Sequence, residues 1–221
     1  MVTGAVIVAA GRSTRMGGAD KLLMPVAGRA VVAHAVRPFL VHDAIAAVTV
    51  VVSRANQEAV AAAVGKHEKL KFVLGGERRR DSVRAGLLTL RGCDYVVVHD
   101  GARPLVTAGL IDAALEGARE CGAALCAVPV RDTVKRGDAS GHVHSTISRE
   151  GLWLAQTPQA FRLELLLRAH DVVEGDVTDD AAMIEHLGAP VKLVEGSVRN
   201  IKVTTPEDVA LVEALLTAGR T

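Results

Sequence analysis

Aromatic residues are scarce: Trp153, Tyr95, Phe39, Phe72 and Phe161 are the only ones in 221 residues. Val, Ala and Leu must therefore fill any core, a composition typical of helices packed on a parallel sheet. Cysteine is equally sparse. Cys93, Cys121 and Cys126 form an odd set without CxxC spacing, which argues against a disulfide framework or a zinc site and points to a reducing cytoplasm. Net charge is nearly absent, with 26 Lys and Arg against 25 Asp and Glu. A duplex-binding protein would be strongly basic, so any basic site here must be local and no nucleic-acid partner is expected. No apolar run approaches the ~18 residues of a membrane span. The short apolar stretch near the start has no basic region before it, so neither a membrane partner nor a secretory leader is expected.

What the chain does have is ordinary globular material, 49% hydrophobic and 23% charged, enough to bury a sizeable core. The pattern alternates strand and helix. Apolar 5–10 reads as a buried strand running into the Gly-rich stretch 11–18. Residues 30–41 read as a helix that Pro38 must kink or end. Strand 46–52, helix 55–64, strand 71–74, helix 81–90, strand 95–98, helix 110–121 and strand 123–128 follow. Such repetition predicts an α/β fold, a mainly parallel twisted sheet flanked by helices and joined by right-handed crossovers. Residues 131–150 have no buried face and read as a projecting β-arm, a hairpin turning near 138–141. Helices resume at 163–173 and at 179–187, the latter with Thr178 as N-cap and Gly188 as stop. Short strands are expected at 191–194 and 201–203. Thr205-Pro206-Glu207-Asp208 opens the last helix. One domain over residues 1–221, carrying the arm, is the expected organisation.

Ligands of open α/β sheets bind outside the carboxyl ends of the strands, and chemistry-bearing residues collect there. The first strand ends in Ala9-Ala10-Gly11-Arg12-Ser13-Thr14-Arg15-Met16-Gly17-Gly18, with Lys21 following. Backbone N–H groups of such a loop can cradle phosphates, while Arg15 and Lys21 supply positive charge. No Gly-Lys-Ser/Thr closes it, so it is not a Walker A loop, and the absence of GxGxxG disfavours nicotinamide cofactors. The fourth strand ends in His99-Asp100-Gly101-Ala102-Arg103-Pro104, where Asp100 can take a hydroxyl or a phosphate-bound Mg²⁺ and Arg103 can face an anion. Gly75-Gly76-Glu77 closes the third strand ahead of Ser82. Lys202 sits between apolar neighbours near the end of the chain, where a snorkelling side chain is the default reading. Neither HExxH nor Gly-x-Ser-x-Gly occurs, so zinc-protease and serine-hydrolase chemistry find no support.

Taken in order, Ala9-Ala10-Gly11-x-x-x-Arg15-Met16, Lys21, Gly75-Gly76, Asp81-Ser82-Val83, His99 to Pro104, Val128 to Thr133, Thr157-Pro158-Gln159, Thr178-Asp179 and Asn200 to Thr204 closely resemble the 2-C-methyl-D-erythritol 4-phosphate cytidylyltransferases of the non-mevalonate isoprenoid pathway. The resemblance covers nearly the whole chain. It implies a Rossmann-like nucleotidyltransferase fold, a homodimer with interlocking arms, and Mg²⁺-dependent transfer of CMP from CTP to a polyol phosphate. Carried over by matching motif, Ala9, Ala10, Gly11, Gly76, Ser82 and Gly101 line the cytidine pocket, with Glu77 near the ribose where some relatives have Asp. Gly101 likewise stands where many have Ala. Arg15 and Lys21 stabilise charge on the triphosphate. Asp100 and Arg103 meet the polyol, with Thr157, Thr178 and Lys202 around its phosphate. Thr133 and Arg149 match arm residues that reach the neighbouring subunit's site. Asp100 is the candidate protein ligand for the metal, which otherwise binds through the CTP phosphates. A ribitol 5-phosphate cytidylyltransferase shares most of these motifs and is the alternative. A dehydrogenase would need an acid after the second strand, where Ser53-Arg54 stands. A non-catalytic nucleotide sensor of this fold would be expected to have lost Lys21 or Lys202.

Overall fold

The computed structural model describes residues 1–11 and 20–218. Its centre is a seven-stranded sheet built from both halves of the chain. Strand β1 (Thr3–Ala9) is followed by a two-residue pair, β2 (Pro25–Val26) and β3 (Arg29–Ala30), and by helix α1 (Val31–Val41). Next come β4 (Ile45–Val52), α2 (Gln57–Val64), β5 (Leu70–Leu74), α3 (Arg79–Leu88) and β6 (Tyr95–Asp100). The second half contributes α4 (Ala108–Cys121), β7 (Ala123–Pro129), the hairpin β8 (Val134–Gly137) and β9 (Val143–Ile147), and β10 (Trp153–Arg162). It closes with α5 (Leu163–Val172), α6 (Asp180–His186), β11 (Lys192–Glu195) and α7 (Pro206–Ala218).

The sheet order is β11-β7-β10-β6-β1-β4-β5. Strand β1 pairs in parallel with β4 and β6, β4 with β5, and β7 with β11. Side chains alternate across this sheet, as strand geometry requires. Ala5, Ile7 and Ala9 of β1 join the core under α1 and α4, while Val6 joins the core under α3, α5 and α6. Helices thus cover both faces, which is why the strands read as continuous apolar runs.

Four features depart from the sequence pattern. Helix α1 neither ends nor breaks at Pro38 but runs to Val41. The proline has no N–H for the carbonyl of His34, yet Val31, Val32, Ala35, Val36, Phe39 and Leu40 stay buried as one stripe, so packing outweighs the lost bond. The N-cap of α6 is Asp179, whose side chain accepts from the Ala182 N–H, rather than Thr178; Gly188 does stop the helix, in a left-handed conformation at φ +69°. Residues 201–203 form no strand; the Val203 N–H donates to the Ala102 carbonyl and the Ile201 N–H to the Arg199 carbonyl, each at 2.8 Å. Most consequential is β10, a ten-residue strand that enters the middle of the sheet antiparallel to both β6 and β7. Its buried polar residues Gln156, Thr157 and Gln159 hide it from a hydrophobic scan. Pro158 is tolerated because it falls where the register with β7 shifts, between Ala155 and Gln159.

The hairpin β8–β9 forms a small sheet of its own. Its turn closes through the Asp138 N–H to the His142 carbonyl at 3.0 Å, and the Asp138 carboxylate accepts from the N–H groups of Ser140 and His142. No helix among the described residues is long and apolar enough to cross a membrane.

Candidate active site

The parallel strands β1, β4, β5 and β6 all end on one side, and a cavity of about 1020 Å³ opens there. Strand β1 contributes Val8 and, just beyond its end, Ala10 and Gly11. The turn after β4 contributes Ser53 and Arg54, the turn after β5 Gly75, Gly76 and Glu77, and β6 Asp100. Lys21 and Lys202 also line the cavity. Lys21 is placed by what precedes it. The Asp20 carboxylate accepts from the Leu22 N–H at 3.0 Å and from Asn56 Nδ2 at 3.0 Å, and Asn56 Nδ2 also donates to the Ala9 carbonyl at 2.9 Å. One buried amide therefore ties the end of β1 to the segment that resumes at Asp20.

The double glycine after β5 is required by the protein's own packing. A Cβ at Gly75 would lie 2.5 Å from Ser82 Oγ and 2.7 Å from Ala10 Cβ, and one at Gly76 2.5 Å from Asp81 Cβ. Their absence lets the start of α3 close on the end of β1. Gly75→Ala is expected to lose about 1–3 kcal/mol of stability, the usual range for overpacking. A thermal melt checks it, and an unchanged midpoint would sink this account.

Asp100 is the electrostatic centre. Lys202 Nζ stands 2.7 Å from its Oδ2, Arg79 Nη2 3.6 Å from its Oδ1, and Arg103 Nε 4.0 Å from its Oδ2. Burial pushes the carboxyl pKa up, but attraction to Lys202, Arg79 and Arg103 outweighs it and holds the group well below the usual carboxylate range. Asp100 is thus an anion that offsets the mutual repulsion of the cations gathered around it.

Behind it lies a buried polar network. His99 is fully buried against Phe39, with Nε2 3.1 Å from the Arg103 carbonyl and Nδ1 3.0 Å from Thr157 Oγ1. A carbonyl only accepts, so Nε2 carries the proton and the Thr157 hydroxyl donates to Nδ1. The same hydroxyl accepts from the Asp100 N–H at 3.0 Å. Asn200 Nδ2 donates to the Thr157 carbonyl at 2.8 Å, and Arg103 Nη1 to the Asn200 carbonyl at 2.7 Å. These bonds fix the end of β6 against β10 and the 200–203 segment, which is how Lys202 comes to face Asp100. Burial lowers the His99 pKa to about 4, so the ring is neutral at physiological pH.

Of the residues singled out in the sequence, Ala10, Gly11, Lys21, Gly76, Glu77, Ser82, Asp100 and Lys202 line the cavity. Ala9 and Gly101 are buried behind its wall. Arg103 reaches Asp100 from behind, and Thr157 is 4% exposed, its hydroxyl bonded to His99 and the Asp100 N–H within the wall. Thr178 is exposed in the loop before α6, and Thr133 and Arg149 lie exposed in the arm, where Arg149 donates to the Arg131 carbonyl. Arg15 lies outside the described residues. Sequence reasoning missed Asn56, Arg79 and Asp180. Only Asn56 left a signal, a Ser53-x-x-Asn56 turn in which its Oδ1 accepts from the Ser53 N–H at 2.9 Å.

A doubly wound sheet with lysines and a buried carboxylate around a glycine-lined cavity at its strand ends defines a nucleotide-handling α/β protein. Comparison with known proteins narrows the class. Residues 3–218 match the family model described as 2-C-methyl-D-erythritol 4-phosphate cytidylyltransferase, and the chain belongs to that family. It is 44% identical to a protein of that name from Dehalococcoides mccartyi, covering 98% of this chain and 97% of that one. It is 47% identical to a bifunctional enzyme IspD/IspF from Desulforudis audaxviator, spanning 97% of this chain and 57% of that longer protein. Among solved structures, a 4-diphosphocytidyl-2C-methyl-D-erythritol synthase from Anaerococcus prevotii superimposes with a TM-score of 0.86 at 29% identity, over 98% of this chain and 96% of that one. A 2-C-methyl-D-erythritol 4-phosphate cytidylyltransferase from Thermus thermophilus does so with 0.79 at 32% identity, over 98% and 100%.

Proposed function

We propose that this chain transfers CMP from CTP to 2-C-methyl-D-erythritol 4-phosphate, releasing pyrophosphate and forming 4-diphosphocytidyl-2-C-methyl-D-erythritol in non-mevalonate isoprenoid biosynthesis. One observation carries the reading: in a chain matched to the family from residue 3 to residue 218, Lys21, Lys202 and Asp100 line one cavity. An oxygen of the substrate phosphate attacks the α-phosphorus of CTP in line. The new P–O bond forms as the bond from the α-phosphorus to the α,β-bridging oxygen of CTP breaks, and that oxygen leaves with pyrophosphate. A phosphate monoester has a second pKa of ~6 and is mostly dianionic at neutral pH, so the nucleophile needs no base. The barrier is repulsion between two polyanions, which Lys21 and Arg15 on the triphosphate and Lys202 on the acceptor phosphate lower. Lys202 reaches that phosphate with the ammonium hydrogens that Asp100 does not take, and Asp100 keeps lone pairs to accept from a polyol hydroxyl.

Asp100 and Glu77 are the carboxylates in the cavity wall, and no cluster of three His, Cys, Asp or Glu side chains occurs among the described residues. That donor set fits a Mg²⁺ that arrives on the phosphates, with at most Asp100 added from the protein. When bound, the ion supplies neutralisation of triphosphate charge. We further propose a cytoplasmic homodimer of single-domain subunits in which residues 131–150 form the arm. Val143 in the arm and Trp153 and Leu154 just beyond it are exposed, which supports this, as does the absence of Arg149 and Thr133 from the cavity lining. Pairing CTP with methylerythritol phosphate and separately with ribitol 5-phosphate, and following pyrophosphate, tests the reading. Release with ribitol 5-phosphate alone would overturn it.

At saturating CTP and Mg²⁺, activity is expected to fall below about pH 6 as the acceptor dianion disappears. His99→Asn should leave this limb in place, because both ring nitrogens are engaged inside the core. Rates must be normalised to the folded fraction. Burial holds His99 and His170 at about 4, below their unfolded value of ~6.5. The unfolded chain then binds more protons, and stability falls as pH drops from about 6.5 towards 4. A limb that moved in His99→Asn would install a histidine base and sink the mechanism.

A further inference from the structure

Three consecutive arginines open α3, and they are used differently. Arg78 is exposed and pairs with Asp81 at 2.9 Å and Asp176 at 3.8 Å. Arg80 donates to the carbonyls of Gly175 and His170. Arg79 joins two carboxylates that belong to different parts of the site. Its Nη1 lies 2.8 Å from Oδ2 of Asp180 and its Nη2 3.6 Å from Oδ1 of Asp100. Asp180 is fully buried, and Arg79 is its only salt-bridge partner among the described residues. A buried carboxylate is costly unless a cation meets it with good geometry. Arg79 therefore stands behind the site as the charge partner of Asp180, while its other arm faces the cavity that it lines.

The two oxygens of Asp100 are divided between cations: Arg79 takes Oδ1 and Lys202 takes Oδ2 at 2.7 Å. Fixing one oxygen fixes the rotation of the carboxylate, and so the place where the other presents Lys202. We propose that Arg79, anchored by Asp180, is a positioning residue that sets the orientation of Asp100 and thereby the location of Lys202 on the acceptor side of the cavity. The planar guanidinium can span two carboxylates, which a compact ammonium does poorly. The inference rests on the function proposed above, since it names what holds the acceptor-side machinery of that same site.

Neutralising both partners together leaves neither charge buried alone, so Arg79→Gln/Asp180→Asn is expected to fold with a melting temperature close to wild type. Its KM for the polyol phosphate should nevertheless rise about tenfold or more, the scale of one lost charge-assisted contact, while its KM for CTP stays within about twofold, too small a change for a lost contact. Arg79→Lys, which retains the charge, should show the same split. Millimolar methylguanidinium should partly restore the acceptor KM of the double variant, and an equal concentration of tetramethylammonium should not. A readout independent of turnover is the crystal structure of each variant, in which Lys202 Nζ should no longer stand against Asp100 Oδ2. Absence of pyrophosphate release from wild type with either polyol phosphate would remove the functional reading and leave these structures to decide. A Lys202–Asp100 pair unmoved in both variants, or a rise in the KM for CTP in place of the acceptor's, would overturn the positioning role.

Discussion

Replacing Lys21 with alanine is expected to slow pyrophosphate release by ~2–4 kcal/mol of transition-state stabilisation, about 30- to 1,000-fold, the scale for deleting one preorganised charge donor. The fold should survive, because the elements around Lys21 are held by other groups. Asn56 and Asp20 tie that segment to the end of β1 without the lysine ammonium. The loss should fall on kcat and on kcat/KM alike, since the charge that Lys21 meets grows as pyrophosphate departs. A single-turnover rate within about threefold of wild type, with an unchanged melt, would remove Lys21 from the chemistry.

The second large effect is a recovery. Arg149→Ala and Lys21→Ala chains should each be nearly inactive alone. If the arm delivers Arg149 to the neighbouring site, a heterodimer contains one site with both residues intact. Random exchange of equal amounts makes about half the dimers mixed, so about a quarter of wild-type sites should return. Within one chain Arg149 lies in the exposed arm and is absent from the cavity lining, which motivates the experiment. No recovery after subunit exchange has been demonstrated by mass spectrometry would count against action in trans.

The two experiments draw on different parts of the chain, and those parts were unequally legible. The parallel half of the sheet was readable because its strands are buried on both faces and so appear as apolar runs between turn signals, as at 46–52 and 95–98. The cavity residues at the ends of those strands were readable for the same reason. Where a buried strand stops near Gly11, Gly76 or Asp100, the next residues must face the crevice. Strand β10 was not readable. Gln156, Thr157 and Gln159 are polar and buried, and nothing local reveals that Asn200, His99 and Asp179 supply their partners. The bonds of Thr157 were equally hidden: a threonine among site motifs gives no sign that its hydroxyl meets His99 and the Asp100 N–H inside the wall.

Hydrophobic period, glycine placement and isolated cations are local properties, and they determined the α/β class, the order of most elements and the side of the sheet on which the site lies. Tertiary structure decided which charges meet. Arg103 is a near neighbour of Asp100 in sequence, but Arg79 and Lys202 come to it from other segments of the chain. Lys202 arrives only because β10 inserts beside β6 and its Thr157 carbonyl holds Asn200. Whether a carboxylate binds a metal, a hydroxyl or a lysine depends on which cations and donors surround it once water is excluded. That is a property of the packed molecule, because burial strengthens every charge–charge interaction that the folded chain brings within a few ångströms.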